Sequence, residues 1–87
     1  MNSDSFKRCL ENGKGVAAVF NKKEKQVLIN VWKLKDVFIL TWEECPRGEQ
    51  FDESSYTRDD RHEFDSVDDV CKFLEKESVG FATFKPC

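Results

Sequence analysis

The sequence predicts a small α+β fold, in which a three-stranded antiparallel meander plus one or two further strands packs against one or two helices. Two observations carry this prediction. Within residues 26–42, apolar residues occupy every second position of two successive strand-like runs, and an apolar stripe with helical spacing occupies residues 67–77. With 87 residues, the chain is expected to form a single domain, residues 1–87.

The first predicted element is a short helix. Apolar residues recur at helical spacing over residues 6–10, the serines at positions 3 and 5 offer an N-cap, and Asn12-Gly13 supplies a stop signal. Residues 15–20 then read as a strand. Its small residues leave room for a helix or another chain to pack close over it.

A hairpin follows, with strands at residues 27–32 and 37–42. Because Lys35-Asp36 is a poor two-residue turn, we expect a four-residue loop over 33–36. Either even loop places the same side chains on one face. This face is wholly apolar and is the predicted core: Val27, Ile29, Val31, Phe38, Leu40 and Trp42.

The second face of the hairpin is mixed, and it carries four apolar candidates for an interface or ligand face: Leu28, Trp32, Val37 and Ile39. Exposed together, they exceed what a monomer usually shows to water. Either a homodimer or the first helix is expected to cover them. Trp32 is then either a core residue beneath that helix or an anchor of an interface.

The remaining elements follow a polar stretch over residues 43–62. A fourth strand is expected at 55–58 or 61–64. Asp65-Ser66 is predicted to cap a helix over 67–77, which should cover the core face of the hairpin. Gly80 is the expected exit, and residues 81–84 are the predicted last strand.

The four cysteines, Cys9, Cys45, Cys71 and Cys87, are widely spaced, so reduced thiols are expected. Neither a close pair of zinc ligands nor a cofactor motif is visible. The sequence has no apolar run long enough to span a bilayer and begins without signal-peptide features. We therefore expect a cytoplasmic protein with no metal, no cofactor and no membrane contact.

Charge is distributed unevenly along the chain. Basic residues outnumber acidic ones up to Trp42, acidic residues dominate afterwards, and the net charge is −3. The acidic segment is a solvated surface, a divalent-cation site or a docking surface for a basic protein. The candidates for partner binding are Glu43, Glu44, Asp52, Glu53, Asp59 and Asp60.

Catalysis is not expected. His62 is the single histidine, and Cys45 or a serine at 54 or 55 would be its only evident nucleophile. Nucleic-acid binding is less expected. It would depend on lysines that cluster in loops, and such lysines are usually solvated surface charges.

The leading hypothesis is thus a homodimeric, non-enzymatic binding protein, an acidic accessory or inhibitory module that docks on a basic protein partner. Its alternative is a small-ligand-binding homodimer that uses the Trp32 face.

Overall fold

The computed structural model describes residues 1–22, 25–46 and 58–86. The described elements form one five-stranded antiparallel sheet and two α-helices, which confirms the predicted α+β class. The strand order across the sheet is β4-β3-β2-β1-β5. The elements are α1 (Ser3–Glu11), β1 (Val16–Lys22), β2 (Lys25–Leu34), β3 (Val37–Pro46), β4 (Arg58–Phe64), α2 (Val67–Lys76), a 3-10 turn (Phe81–Thr83) and β5 (Phe84–Pro86).

The β2–β3 hairpin turns through two residues. Leu34 pairs with Val37, so the connection is Lys35-Asp36 and the predicted four-residue loop is wrong. Lys35 adopts a left-handed φ of 56°, a conformation that residues other than glycine rarely take. Because the loop remains even, the predicted core face is confirmed, and its six side chains are all buried.

Both helices pack on that same face of the sheet. Phe6 and Leu10 of α1 join Val70 and Leu74 of α2 in one buried cluster with the core residues of the strands. The rings of Phe6 and Phe84 lie edge to face at 5.0 Å. The predicted cover of the hairpin by α2 is therefore confirmed, whereas the suggestion that the first helix covers the Trp32 face is wrong.

The two helices begin and end with matching motifs. Asn2, not a serine, caps α1, accepting a hydrogen bond from the backbone N–H of Ser5, and Ser66 caps α2 as predicted. Gly13 (φ 79°) and Ser78 (φ 61°) take the left-handed position after each helix. In both, backbone N–H groups return to the last turn, as in a Schellman motif. The exit of α2 is thus at Ser78, not at Gly80.

The end of the chain differs from its predicted form. Phe81–Thr83 forms a 3-10 turn, and the last strand begins at Phe84 and pairs with β1. Strand β4 contains the second of the two predicted positions for a fourth strand, residues 61–64. The first, at 55–58, lies outside the described residues except for Arg58.

Candidate functional site

Strand β4 gives the sheet two chemically different faces at this edge. Register with β3 places Arg58, Asp60 and His62 on the face that the helices cover. Asp59, Arg61 and Glu63 therefore lie on the opposite face, called here the open face because both described helices pack against the other side. Each face carries one candidate site.

On the covered face, Arg58 and Trp42 form the centre of a polar cluster. The Arg58 guanidinium lies 4.2 Å from the centre of the Trp42 ring, a cation–π contact. Arg58 also pairs with Asp60, two residues along the same strand, and with Glu77 at the end of α2 at 3.3 Å. Burial alone would lower the pKa of Arg58, but its hydrogen bonds to Asp60 and Glu77 outweigh that effect and raise it.

Glu44 links the two halves of this cluster. The Trp42 indole Nε1–H donates to Glu44 Oε2 at 3.0 Å, and the same oxygen lies 3.7 Å from Arg58 Nη1. These contacts follow from register, because Glu44 is two residues beyond Trp42 and directly opposite Arg58. Glu44 is only 9% exposed. Its carboxylate therefore stabilises the interior of the fold and offers little surface to a binding partner.

A pocket of about 340 Å³ opens beside the cluster. We call it the α2 pocket, since the residues that follow α2 form one wall. The residues that line it are Phe20, Asn21, Trp42, Glu77, Ser78 and Val79. The size falls within the range of ordinary small-molecule sites.

The open face changes from apolar to acidic across the sheet. One cross-strand row runs from Val19 through Leu28 and Glu43 to Asp59. Another runs from Trp32 through Ile39 to Glu63. Two acids, Glu43 and Asp59, thus occupy directly opposite positions at the β4 edge of this face.

The apolar part of the open face is unevenly exposed. Val19 is 55% exposed and Leu34 is 49% exposed, both unusually high for large apolar side chains. Of the four predicted interface residues, Leu28, Trp32 and Val37 are half-buried. Ile39 is fully buried, and therefore offers no surface of its own.

The predicted acidic set does not form one surface. Glu43 and Asp59 lie on the open face, whereas Glu44 and Asp60 belong to the Arg58 cluster on the covered face. Asp52 and Glu53 lie outside the described residues. The sequence did not single out Arg58, although a basic residue within an acidic stretch was a visible signal.

His62 faces aromatic rings rather than a nucleophile. Its ring centre lies 4.7 Å from that of Phe73 and 6.2 Å from that of Phe64. Nε2 is buried and has no hydrogen-bond partner among the described residues. Cys45 lies in β3 with its side chain on the open face, so the sheet separates it from His62, its candidate partner. The alternatives at positions 54 and 55 lie outside the described residues.

Among the described cysteines, Cys9, Cys45 and Cys71 are free thiols. Burial raises the pKa of Cys71, which keeps this thiol protonated and unreactive near neutral pH. No cluster of three potential metal-binding side chains occurs within residues 1–22, 25–46 and 58–86. In the same part of the chain, neither helix has the length and apolar character needed to cross a membrane.

Comparison with known proteins gives no relative from which a function could be transferred: no protein family, curated protein or solved structure matches this chain.

Proposed function

We propose that this protein is a non-enzymatic binding module that docks on a basic protein through the open face of its sheet. The observation that carries the proposal is the cross-strand row from Val19 to Asp59, in which two apolar positions are followed by two acidic ones. Apolar surface beside like charges is the composition expected of an interface whose partner supplies the opposite charge.

Trp32 is the proposed anchor of this interface. It is half-buried on the open face, and Glu63 terminates its cross-strand row at the sheet edge. A tryptophan that is partly desolvated before binding gains contact area at little entropic cost. Asp59 and Glu63, both exposed, supply the acidic rim beside it.

A second copy of the chain is the rival occupant of the same face. The exposure of Val19 and Leu34 favours an interface there but does not select the partner. Charge does select, because Asp59 and Glu63 outnumber Arg61 at this edge of the open face, and a second copy would bring the same acidic excess. A partner that presents lysine or arginine would instead attract the exposed carboxylates of Asp59 and Glu63.

The test is affinity capture with four forms of the protein at low and moderate salt. The wild type is compared with Trp32→Ser, with Asp59→Lys/Glu63→Lys, and with Glu75→Lys, a single charge reversal on the exposed side of α2, as a control. We expect basic proteins to be retained by the wild type and the control. Either open-face variant should weaken retention at least about thirtyfold if its residues are hot spots of roughly 2 kcal/mol.

Moderate salt should also release the captured proteins, because the attraction between exposed charges is screened. The proposal is overturned if no retained protein depends on both the tryptophan and the acidic pair. Retention that Glu75→Lys reduces equally would assign the effect to net charge alone.

A further inference from the structure

We propose that the outer edge of β4 binds an extended peptide segment as a sixth, antiparallel strand, and that it selects a segment with basic residues two positions on either side of an acidic one. Among the described strands, β4 is the last in the order β4-β3-β2-β1-β5, so one side of its backbone has no neighbouring strand. This site is the edge of the sheet and not its open face, and it goes beyond the function proposed above.

The β2–β3 turn determines which backbone groups of β4 face outward. A two-residue turn makes Leu34 and Val37 a hydrogen-bonded pair, and in an antiparallel ladder such pairs recur at every second residue. The odd-numbered residues of β3 therefore bond to β2, and its even-numbered residues bond to β4. Their partners are the even-numbered residues of β4. The N–H and C=O groups of Asp59, Arg61 and Glu63 consequently point away from the sheet.

The sequence of β4 does not block an added strand. It is seven residues long and contains neither proline nor glycine. The strand at the other end of the sheet, β5, has three residues and ends at Pro86, which has no N–H to donate. Each outward residue of β4 can exchange two backbone hydrogen bonds with an antiparallel segment. Such bonds give affinity for an extended peptide, and the side chains then select its sequence.

The side chains beside these outward groups alternate in charge. Asp59, Arg61 and Glu63 lie on the same face of β4, and all three are exposed. Residues of an added strand that lie directly opposite them come within reach on that face. Opposite charge there requires a basic residue beside each acid and an acidic residue beside Arg61. The ion pair of Arg61 with Glu63 is exposed and 3.8 Å long, so it competes only weakly with a bound segment.

The other face of the added strand would lie beside an aromatic cluster. The ring centre of His62 is 4.7 Å from that of Phe73 and 6.2 Å from that of Phe64. A β-branched residue directly opposite His62 would extend this cluster. Asp60 already pairs with Arg58, so the position opposite it is expected to be neutral. The segment is therefore basic, β-branched, acidic, neutral and basic, in that order.

The experiment is an NMR titration of the ¹⁵N-labelled protein with the capped peptide acetyl-TKVETKT-amide, whose glutamate would lie opposite Arg61. We expect a Kd on the order of 1 mM, with the largest shifts at the amides of Asp59, Arg61 and Glu63. N-methylation of the glutamate, whose N–H faces β4, should weaken binding at least about tenfold, because it removes a hydrogen bond and blocks close approach. N-methylation of the valine, whose N–H faces away, is the matched control and should weaken binding less than about threefold.

A charge exchange tests the selection by side chains. In a second peptide, acetyl-TKVKTKT-amide, lysine replaces the glutamate. The wild type should bind the first peptide about two- to fivefold more tightly, the effect of one exposed cross-strand pair. Arg61→Glu should reverse this preference. Arg8→Glu makes the same change of charge at an exposed position of α1, and it should retain the preference of the wild type.

Three results would overturn the proposal. They are equal binding of the two methylated peptides, no shift at about ten times the expected Kd, and equal peptide preferences in the Arg61 and Arg8 variants. Shifts at these amides that depend on protein concentration alone would assign the edge to a second copy and would also contradict it. The capture test of the open face depends on Trp32 as well as on the acids, so the two proposals can fail separately.

Discussion

At the scale of single residues, Arg58 joins more parts of the molecule than any other side chain discussed above. It contacts the ring of Trp42, a carboxylate of its own strand, one of β3 and one of α2. A planar guanidinium can stack on an indole and still donate in its own plane, whereas an ammonium group has no flat face. The fold therefore requires an arginine, and not simply a positive charge, at position 58.

Arginine and lysine should consequently differ at position 58. We expect Arg58→Lys to lower the free energy of unfolding by about 1–2 kcal/mol, since it removes the stacking and the forked hydrogen bonds. Arg61→Lys, on the same strand, is the matched control. Arg61 is 59% exposed and meets Glu63 at 3.8 Å, so that change should cost less than about 0.5 kcal/mol. Urea unfolding of both variants measures the difference, and equal losses would contradict this role of Arg58.

At the scale of elements, the hairpin and the helices differed in how far they could be predicted. The core face of the hairpin followed from period-2 alternation and needed only an even loop, so an error in loop length did not alter it. The side on which α1 packs could not be deduced, because an amphipathic stripe requires apolar cover without specifying which sheet face supplies it. The sequence likewise placed Glu44 and Asp60 on the same docking surface as Asp59. Only the register between β3 and β4 shows that Asp59 lies on the opposite face of the sheet from the other two.

The helix ends show a related limit of sequence reading. A glycine at position 13 made a left-handed residue after α1 predictable. Ser78 takes the equivalent position after α2, where the sequence has no glycine to indicate it. The backbone hydrogen bonds of Ser78 and Val79 to the last turn hold it there. The left-handed conformation of a serine carries a steric cost that glycine avoids.

Exchange at these two positions should therefore have opposite effects. We expect Ser78→Gly to raise the free energy of unfolding by about 0.5–1 kcal/mol, and Gly13→Ala to lower it by about 1 kcal/mol. A Cβ at Gly13 would meet nothing within 4 Å, so the cost there is conformational rather than steric crowding with neighbours. Thermal or urea unfolding provides the measurement. Destabilisation by Ser78→Gly would show that the serine side chain has a role beyond the turn.

At the scale of the whole molecule, both described helices lie on one side of the sheet, and no described helix lies on the open face. The net charge is −3, and the acids of the open face lie toward the β4 edge. Stacking two identical open faces in a way that juxtaposes their β4 edges places like charges together. The distribution of charge thus favours a different protein over a second copy.

The solution mass should reflect this preference. We expect light scattering after size exclusion to give a monomer for the reduced protein at both low and high salt. Screening the acids at high salt removes the repulsion and is therefore the stricter condition. A dimer that persists at both salt concentrations would make a second copy the occupant of the open face, and the search for function would move to the dimer.

The pairing of β5 with β1 joins two strands that are far apart in the sequence. Val16 lies opposite Pro86, so residues 17–85 form the loop that this contact closes. Closing so long a loop is entropically costly, whereas the β2–β3 hairpin closes over two residues. Assembly should therefore proceed from the hairpin outward, with β5 docking late and opening first. Phe84 belongs to that strand, and its ring contacts Phe6 of α1. Each opening of β5 would therefore also weaken the packing of α1 on the sheet.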